Sequence, residues 1–190
     1  MKITMNEVFK KEKSIHVLYA YSGRENYIKQ VVNFIQEGIR AGDYVILIEN
    51  DPVYRMVEQE LKQKLPKEHM QFVHRVNSFD FYFSSGSYHP PAIVEYFNQV
   101  IQPYLDNNTS FRAWAHVEWA SVDEPLHIIE DLERTVDDAV KHLSFPLTCA
   151  YESDRMPDFL KKILMETHPY ILMEDDFIPS KQYKQRIDTN

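Results

Sequence analysis

A single cysteine, Cys149, stands in a chain of 190 residues, so no intramolecular disulfide is available and nothing points to an oxidising compartment. Glycine is scarce too, at four, while 44% of the residues are hydrophobic; a chain of this size can bury a core without a disulfide or metal staple. No stretch approaches the ~20 apolar residues of a membrane-spanning helix. The first thirteen residues lack the apolar centre of a signal peptide, so the expectation is a soluble, cytoplasmic protein. No run of basic residues occurs, and a net charge of -8 argues against a general binder of nucleic acid or anionic membrane. Low-complexity segments, linkers and short-period repeats are missing as well, which leaves one domain.

What is present is an alternation. Residues 15–21 form a near-continuous apolar run, the pattern of a strand covered on both faces. Ser22 and Glu25 have the spacing of a capping box, and Ile28, Val31, Val32, Ile35 and Ile39 mark a helix that stops at Gly42. The unit repeats: residues 44–48 are a second buried strand closed by Glu49 and Asn50, and Asp51 and Pro52 supply an N-cap and a first-turn proline. Further strands are expected over 70–76, 110–120, 147–151 and 168–173. Helices are expected over 91–105, from a cap at Ser121 or Asp123 through the stripe Leu126, Ile129, Val136, Val140 and Leu143, and over 153–165. This order predicts the α/β class, a three-layer αβα sandwich around a mainly parallel sheet. Residues 1–13 read as an N-terminal arm or frayed helix, 14–180 as the domain, and 181–190 as a polar C-terminal tail.

The stretch 110–120 holds a contradiction. A strand has a period of two, so Arg112, Trp114, His116 and Glu118 share one face and Ala113, Ala115, Val117 and Trp119 the other. Charged groups on an otherwise apolar central strand are costly unless paired or placed at an opening. Ligands of such sheets bind beyond the carboxyl ends of the strands, which here carry Tyr21, Glu49, Asn50, Glu118, Trp119, Tyr151 and Glu152. The three glutamates can form an acidic rim for a cation, a polar ligand group or a water. Equally, each can serve the positive end of the helix that follows, or pair with Arg24 or Arg155. His116 in the same strand favours a functional role for Glu118.

Other chemistries find less support. His116 and Glu118, joined by Glu49 or His74, have the donors of a metal site, but no third ligand lies at a characteristic spacing, so neither metal nor cofactor is expected. Cys149, inside an apolar strand, reads as an inert small hydrophobe. Ser84, Ser85 and Gly86 do not make the G-x-S-x-G elbow of a serine nucleophile. The first strand-to-helix turn, residues 21–27, has one glycine and no lysine, where a phosphate loop needs G-x-x-x-x-G-K-[ST]. Glu118 stands where a Walker-B-like carboxylate would end a strand, with no nucleotide to serve, and no catalytic residue is expected. Segment 77–91, with Phe79, Phe81, Tyr82, Phe83 and Tyr88, reads two ways: a lid or wall over an apolar pocket, or a loop packed on the sheet edge or in a dimer contact.

The runs beginning at His16, Tyr44, Trp114 (Trp-Ala-His-Val-Glu-Trp), Cys149 (Cys-Ala-Tyr) and His168 (His-Pro-Tyr) follow one another in the order and spacing of the MEDS family, which the chain resembles from about residue 14 to residue 180. That family is a sensory domain named for methanogens and methylotrophs and for the repressor of dichloromethane dehalogenase. The resemblance implies a RecA-like or KaiC-like core that has lost its phosphate loop. It also implies the sensing of small hydrocarbon-derived ligands in transcriptional or kinase signalling. The repressor carries a DNA-binding head for which these 190 residues leave no room, so a stand-alone sensor acting through a protein partner is expected.

The combined expectation is a non-enzymatic sensor of a small, partly apolar ligand. His116 and Glu118 supply polar contacts, and Tyr21, Arg24, Glu49, Trp114, Trp119, Tyr151, Phe81, Tyr82 and Tyr88 complete the pocket. The expected partner is a kinase or transcription regulator, with no direct nucleic acid and no membrane; a homodimer is compatible with the reading. A nucleotide-binding or hydrolytic enzyme using His116 and Glu118 is the alternative, and a ligand-free interaction module the second.

Overall fold

A computed structural model describes residues 4–118, 126–174 and 176–185, the side chains of Leu126 and His127 excepted. The apolar runs become strands and the periodic stretches between them helices. In chain order these are α1 (Met5–Lys11), β1 (His16–Tyr21), α2 (Arg24–Arg40), β2 (Tyr44–Glu49), α3 (Asp51–Lys64), β3 (Val73–Asn77) and α4 (Ser78–Tyr82). Then come α5 (Pro90–Asp106), β4 (Phe111–His116), α6 (Leu126–Leu143), β5 (Leu147–Glu152), α7 (Asp158–Thr167), β6 (Tyr170–Met173) and β7 (Asp176–Pro179).

The strands form one sheet in the order β3-β2-β4-β5-β1-β6-β7, parallel throughout except that β7 runs against β6. Helices cover both faces, as the alternation predicts. Strand periodicity divides the core in two. Val17, Tyr19, Val45, Leu47 and Trp114 pack under α1, α2 and α3. Leu18, Ile46, Ile48, Ala115 and Cys149 pack under α4, α5, α6 and α7. The first helix is part of the first layer: Phe9 is buried edge-on against Phe34, 6.2 Å between ring centres.

Several boundaries differ from expectation for local reasons. Ser22 does not cap α2; Gly23 takes that position with φ +79°, and Ser22 Oγ donates to Asp154 instead. Asn50, rather than Asp51, caps α3 by accepting from the Val53 amide. Residues 67–72 form a 3-10 helix, because pairing with β2 begins only at Val73. The helix expected from Ser153 starts at Asp158, since a 3-10 turn (Ser153–Arg155) and Pro157, which keeps Met156 extended, precede it. The last parallel strand starts at Tyr170, not His168, and β7 was not foreseen. The central strand β4 ends at His116, paired with Ala150 of β5; the Val117 amide still donates to the Ala150 carbonyl, Glu118 follows, and Trp119, like the expected helix cap at Ser121 or Asp123, lies outside the described residues.

The charged row on that strand is resolved by pairing. Arg112 Nε and one terminal nitrogen donate to Asp43 Oδ2 at 2.9 and 2.7 Å, and the other terminal nitrogen donates to Asn6 Oδ1 at 3.1 Å. The guanidinium also lies over the rings of Phe9 and Phe34. To make room, α2 presents Gly38 to the sheet. A Cβ there would sit 2.7 Å from Val45 Cγ2 and 2.9 Å from Arg112 Cδ. Alanine is the better helix former by about 1 kcal/mol, yet neither neighbour is free to move, so overpacking wins. Gly38→Ala is expected to destabilise the protein by about 1–2 kcal/mol, read as a lowered urea midpoint at unchanged slope.

Candidate functional site

At the carboxyl ends of β1, β2, β4 and β5 lies a crevice of 220 Å³, lined by Tyr21, Arg24, His116, Glu118, Glu152 and Arg155 among others. Its floor is a hydrogen-bonded relay built from strand ends. Tyr21, the last residue of β1, places its hydroxyl 2.7 Å from His116 Nε2. His116, the last residue of β4, places Nδ1 2.6 Å from Glu49 Oε1. Glu49, the last residue of β2, is fully buried; its Oε2 accepts from the Tyr27 hydroxyl at 2.5 Å and its Oε1 from the Asn50 amide at 2.8 Å. Tyr27, on α2, accepts in turn from Trp114 Nε1 at 3.0 Å and lies 4.7 Å from the His116 ring.

Electrostatics fix the protons. Burial alone would lower the His116 pKa, but the Glu49 hydrogen bond and charge, helped by Glu118 and Glu152, outweigh it and hold the pKa above the ordinary value. Burial pushes the Tyr21 phenol up, and Glu152, Glu49 and Glu118 push it further. Since a carboxylate only accepts, Nδ1 of His116 carries a proton in either charge state. When His116 is neutral, Nε2 accepts from Tyr21 and the phenol oxygen offers a lone pair to the crevice. When His116 is charged, Nε2–H donates to Tyr21 and the phenol proton is free to point outward. The relay therefore sets whether Tyr21 presents an acceptor or a donor.

Glu118 is held differently. Its Oε1 accepts from Asn50 Nδ2 at 2.7 Å and its Oε2 from Ser78 Oγ at 2.7 Å. It thereby joins the start of α3 to the start of α4. Ser153 Oγ donates to the Tyr21 carbonyl at 2.9 Å, which ties β5 to β1 at the same rim.

The expected pocket is thus gathered only in part. Tyr21, Arg24, His116 and Glu118 line the crevice, with Glu49 and Trp114 beneath it. The acidic rim reduces to Glu118 and Glu152, because Glu49 is spent on His116 and Tyr27. Phe81, Tyr82 and Tyr88 lie on the opposite face of the sheet, with Tyr82 and Tyr88 stacked at 5.6 Å. There Phe81 and Tyr82 border a separate apolar cavity of 40 Å³ against α5 and α6. Tyr151 faces that side too, donating to Glu133 Oε1. The segment is placed there by α4, whose short turn packs Phe81 and Tyr82 inward. His74 cannot join His116, since it points to that same second face and bonds Tyr104 at 2.9 Å.

Tyr27 is a member of the site that the sequence reading does not include, and Asn50, expected at a strand end, joins it through Glu118. Tyr27 lies on the buried stripe of α2, one turn before Val31, where an aromatic reads as core. A tyrosine, with its hydroxyl, on the buried stripe in the first turn of the helix that follows β1 is the signal available in the sequence.

The family model for MEDS, described as the methanogen/methylotroph, DcmR sensory domain, matches residues 15–169. The chain belongs to the MEDS family. No curated protein sequence matches it. The MEDS match spans β1 to the end of α7 and so covers every residue of the relay. Membership in a sensory family fits a signalling role. No helix among the described residues of this MEDS domain is long and apolar enough to cross a membrane.

Proposed function

We propose that this domain is a non-enzymatic, cytoplasmic sensor that takes a small, partly apolar ligand, hydrocarbon-derived and bearing a hydroxyl, carbonyl or comparable polar end, in the crevice. The observation that carries this reading is the buried relay Tyr21–His116–Glu49–Tyr27 under a crevice of 220 Å³. That volume is below the roughly 300–1,000 Å³ of drug-sized sites, so the ligand is small. Tyr21 meets the polar end as donor or acceptor, and Arg24, Arg155, Glu118 and Glu152 set the charge around it. The enzyme alternative lacks support in the same place: the turn after β1 offers Ser22, Gly23 and Arg24, without the lysine or second glycine of a phosphate loop.

The output route runs through Glu118. A ligand that competes for Glu118 loosens Ser78 at the start of α4, and the next residue, Phe79, is 70% exposed on the surface. Ligand binding then biases two positions of α4, and a protein partner, a kinase or transcription regulator, reads that surface. Direct contact with nucleic acid or membrane has no place in this scheme.

The test is amide NMR on the free protein titrated with short-chain alcohols, ketones and haloalkanes. A sensor ligand gives saturable shifts at Tyr21 and His116 that extend to Ser78 and Phe79. In Glu118→Gln, which keeps shape but weakens acceptance from Ser78, binding is retained within a few-fold while the Phe79 response falls. Saturable binding of ATP with Mg²⁺ that Glu118→Gln abolishes would sink this reading, as would a crevice silent to the whole panel.

A further inference from the structure

On the opposite face of the sheet from the crevice, four side chains converge from separate elements. They are His16 at the start of β1, Cys149 in β5, Glu133 on α6 and His168 between α7 and β6. One donor atom of each lies within 4.8 Å of the others. None of the four residues is more than 3% exposed. His16 Nε2 is 3.4 Å from Cys149 Sγ and 3.4 Å from Glu133 Oε2, and His168 Nε2 is 3.3 Å from the same oxygen. Tetrahedral zinc, with bonds of about 2.0–2.1 Å to nitrogen, 2.0–2.2 Å to oxygen and 2.3 Å to sulfur, sets ligand atoms about 3.3–3.6 Å apart. The separations from His16 Nε2 to Cys149 Sγ and to Glu133 Oε2, and from His168 Nε2 to Glu133 Oε2, at 3.3–3.4 Å, have the length of such edges, and the remaining pairs lie within 4.8 Å.

The surroundings orient each group toward one point. His16 Nδ1 faces Asp137 Oδ1 at 3.3 Å, and His168 Nδ1 faces the Leu164 carbonyl at 2.8 Å. Both partners only accept, so both Nδ1 atoms carry protons, and in the neutral rings both Nε2 lone pairs aim inward. Glu133 Oε1 takes the Tyr151 hydroxyl, which leaves Oε2 directed at the same centre. Carboxylate or carbonyl partners behind metal-bound imidazoles are the usual means of fixing tautomer and ring orientation. Against that order, Glu133 Oε2 and His168 Nε2 are buried and make no hydrogen bond. While the Cys149 thiol can donate to His16 Nε2, Glu133 Oε2 and His168 Nε2 stand 3.3 Å apart as two electron-rich atoms without a hydrogen bond, an arrangement that a cation relieves.

The geometry points to a structural Zn²⁺ site formed by His16, Glu133, Cys149 and His168. The donor set of one thiolate, two imidazoles and one carboxylate suits zinc and not calcium or magnesium. Four protein ligands leave no open position, so the ion staples rather than catalyses. It joins β1 to β5 and holds α6 and the α7–β6 turn on that face. Cys149 is then a ligand rather than an inert filler.

The experiment uses the full chain, purified without a polyhistidine tag from cells grown with zinc. The expected result is about one equivalent of zinc per chain, and a chelator-induced fall in the melting midpoint on the order of 10 °C that zinc reverses. Cobalt(II) added to the stripped protein gives a thiolate-to-cobalt charge-transfer band that Cys149→Ala abolishes and His116→Ala retains. A folded chain that carries no zinc and whose midpoint responds to neither chelator nor zinc overturns the site. Zinc bound with a stoichiometry unchanged in both Cys149→Ala and Glu133→Gln overturns it too. Where a variant fails to fold, metal content, midpoint and cobalt spectrum of the unmodified chain decide the matter on their own.

Discussion

Asp43→Ala is expected to lower the stability of the domain by about 3–5 kcal/mol, the loss that follows when one partner of a buried ion pair is removed. Asp43 is 3% exposed and Arg112 2%. Asp43 Oδ2 receives two donors from Arg112, and its Oδ1 receives the Ser110 hydroxyl. Without the carboxylate, Arg112 keeps only Asn6 and the faces of Phe9 and Phe34, so its charge is buried with no counter-charge. The cost comes from stranding the cation, not from the net value of the pair. The double variant Asp43→Ala with Arg112→Met is therefore expected to regain most of the loss. Urea unfolding of the wild type, both single variants and the double variant measures the coupling. A single-variant cost below about 1 kcal/mol, or a double variant no better than Asp43→Ala, would show that the pair does not anchor β4 in this way.

That anchor explains how a central strand tolerates two charged residues four positions apart. Arg112 at the amino end is neutralised within the first layer, and His116 at the carboxyl end is neutralised by Glu49. The contradiction in the sequence therefore has two different resolutions on one face. Only the second opens onto a cavity.

The sandwich was legible because parallel strands buried on both faces leave continuous apolar runs, and because α2, α3, α5 and α6 are amphipathic and well separated. The antiparallel β7 was not, since its four residues include exposed Asp176 and Ile178 and a terminal proline. At the site, spacing of two along β4 correctly put Trp114 and His116 on one face. The same rule could not tell which layer Phe81, Tyr82 and Tyr88 would enter. That depends on α4, a single turn capped by Asn77, which sends the chain under α5 instead of over the strand ends. Cys149 is buried, as its apolar strand implies, and burial pushes its thiol pKa up; its neighbours His16, Glu133 and His168 lie at sequence distances that carry no spacing signal.

Glu49→Gln is expected to cost about 2–3 kcal/mol and to reverse the direction of the His116 titration effect. Glutamine keeps the shape of the side chain but removes the charge that holds His116 protonated. In the wild type the folded pKa of His116 lies above its unfolded value. The pair therefore contributes stability that is fully present below the unfolded pKa of about 6.5 and is lost as pH rises through the folded value. In Glu49→Gln, burial faces only the more distant charges of Glu118 and Glu152, and the folded pKa drops below the unfolded one. Protonation then favours the unfolded chain, so stability declines as pH falls through the unfolded pKa. The stability difference between the two proteins is thus greatest at about pH 5 and shrinks toward about pH 8. NMR titration of the His116 ring, alongside urea unfolding at each pH, checks both parts. The consequence reaches the crevice: with His116 neutral, Tyr21 donates inward and offers the ligand an acceptor only, so ligands that need a donor lose affinity in Glu49→Gln. A His116 ring that titrates at the same pH in both proteins would mean that Glu49 does not set its charge, and that the relay cannot choose what Tyr21 presents.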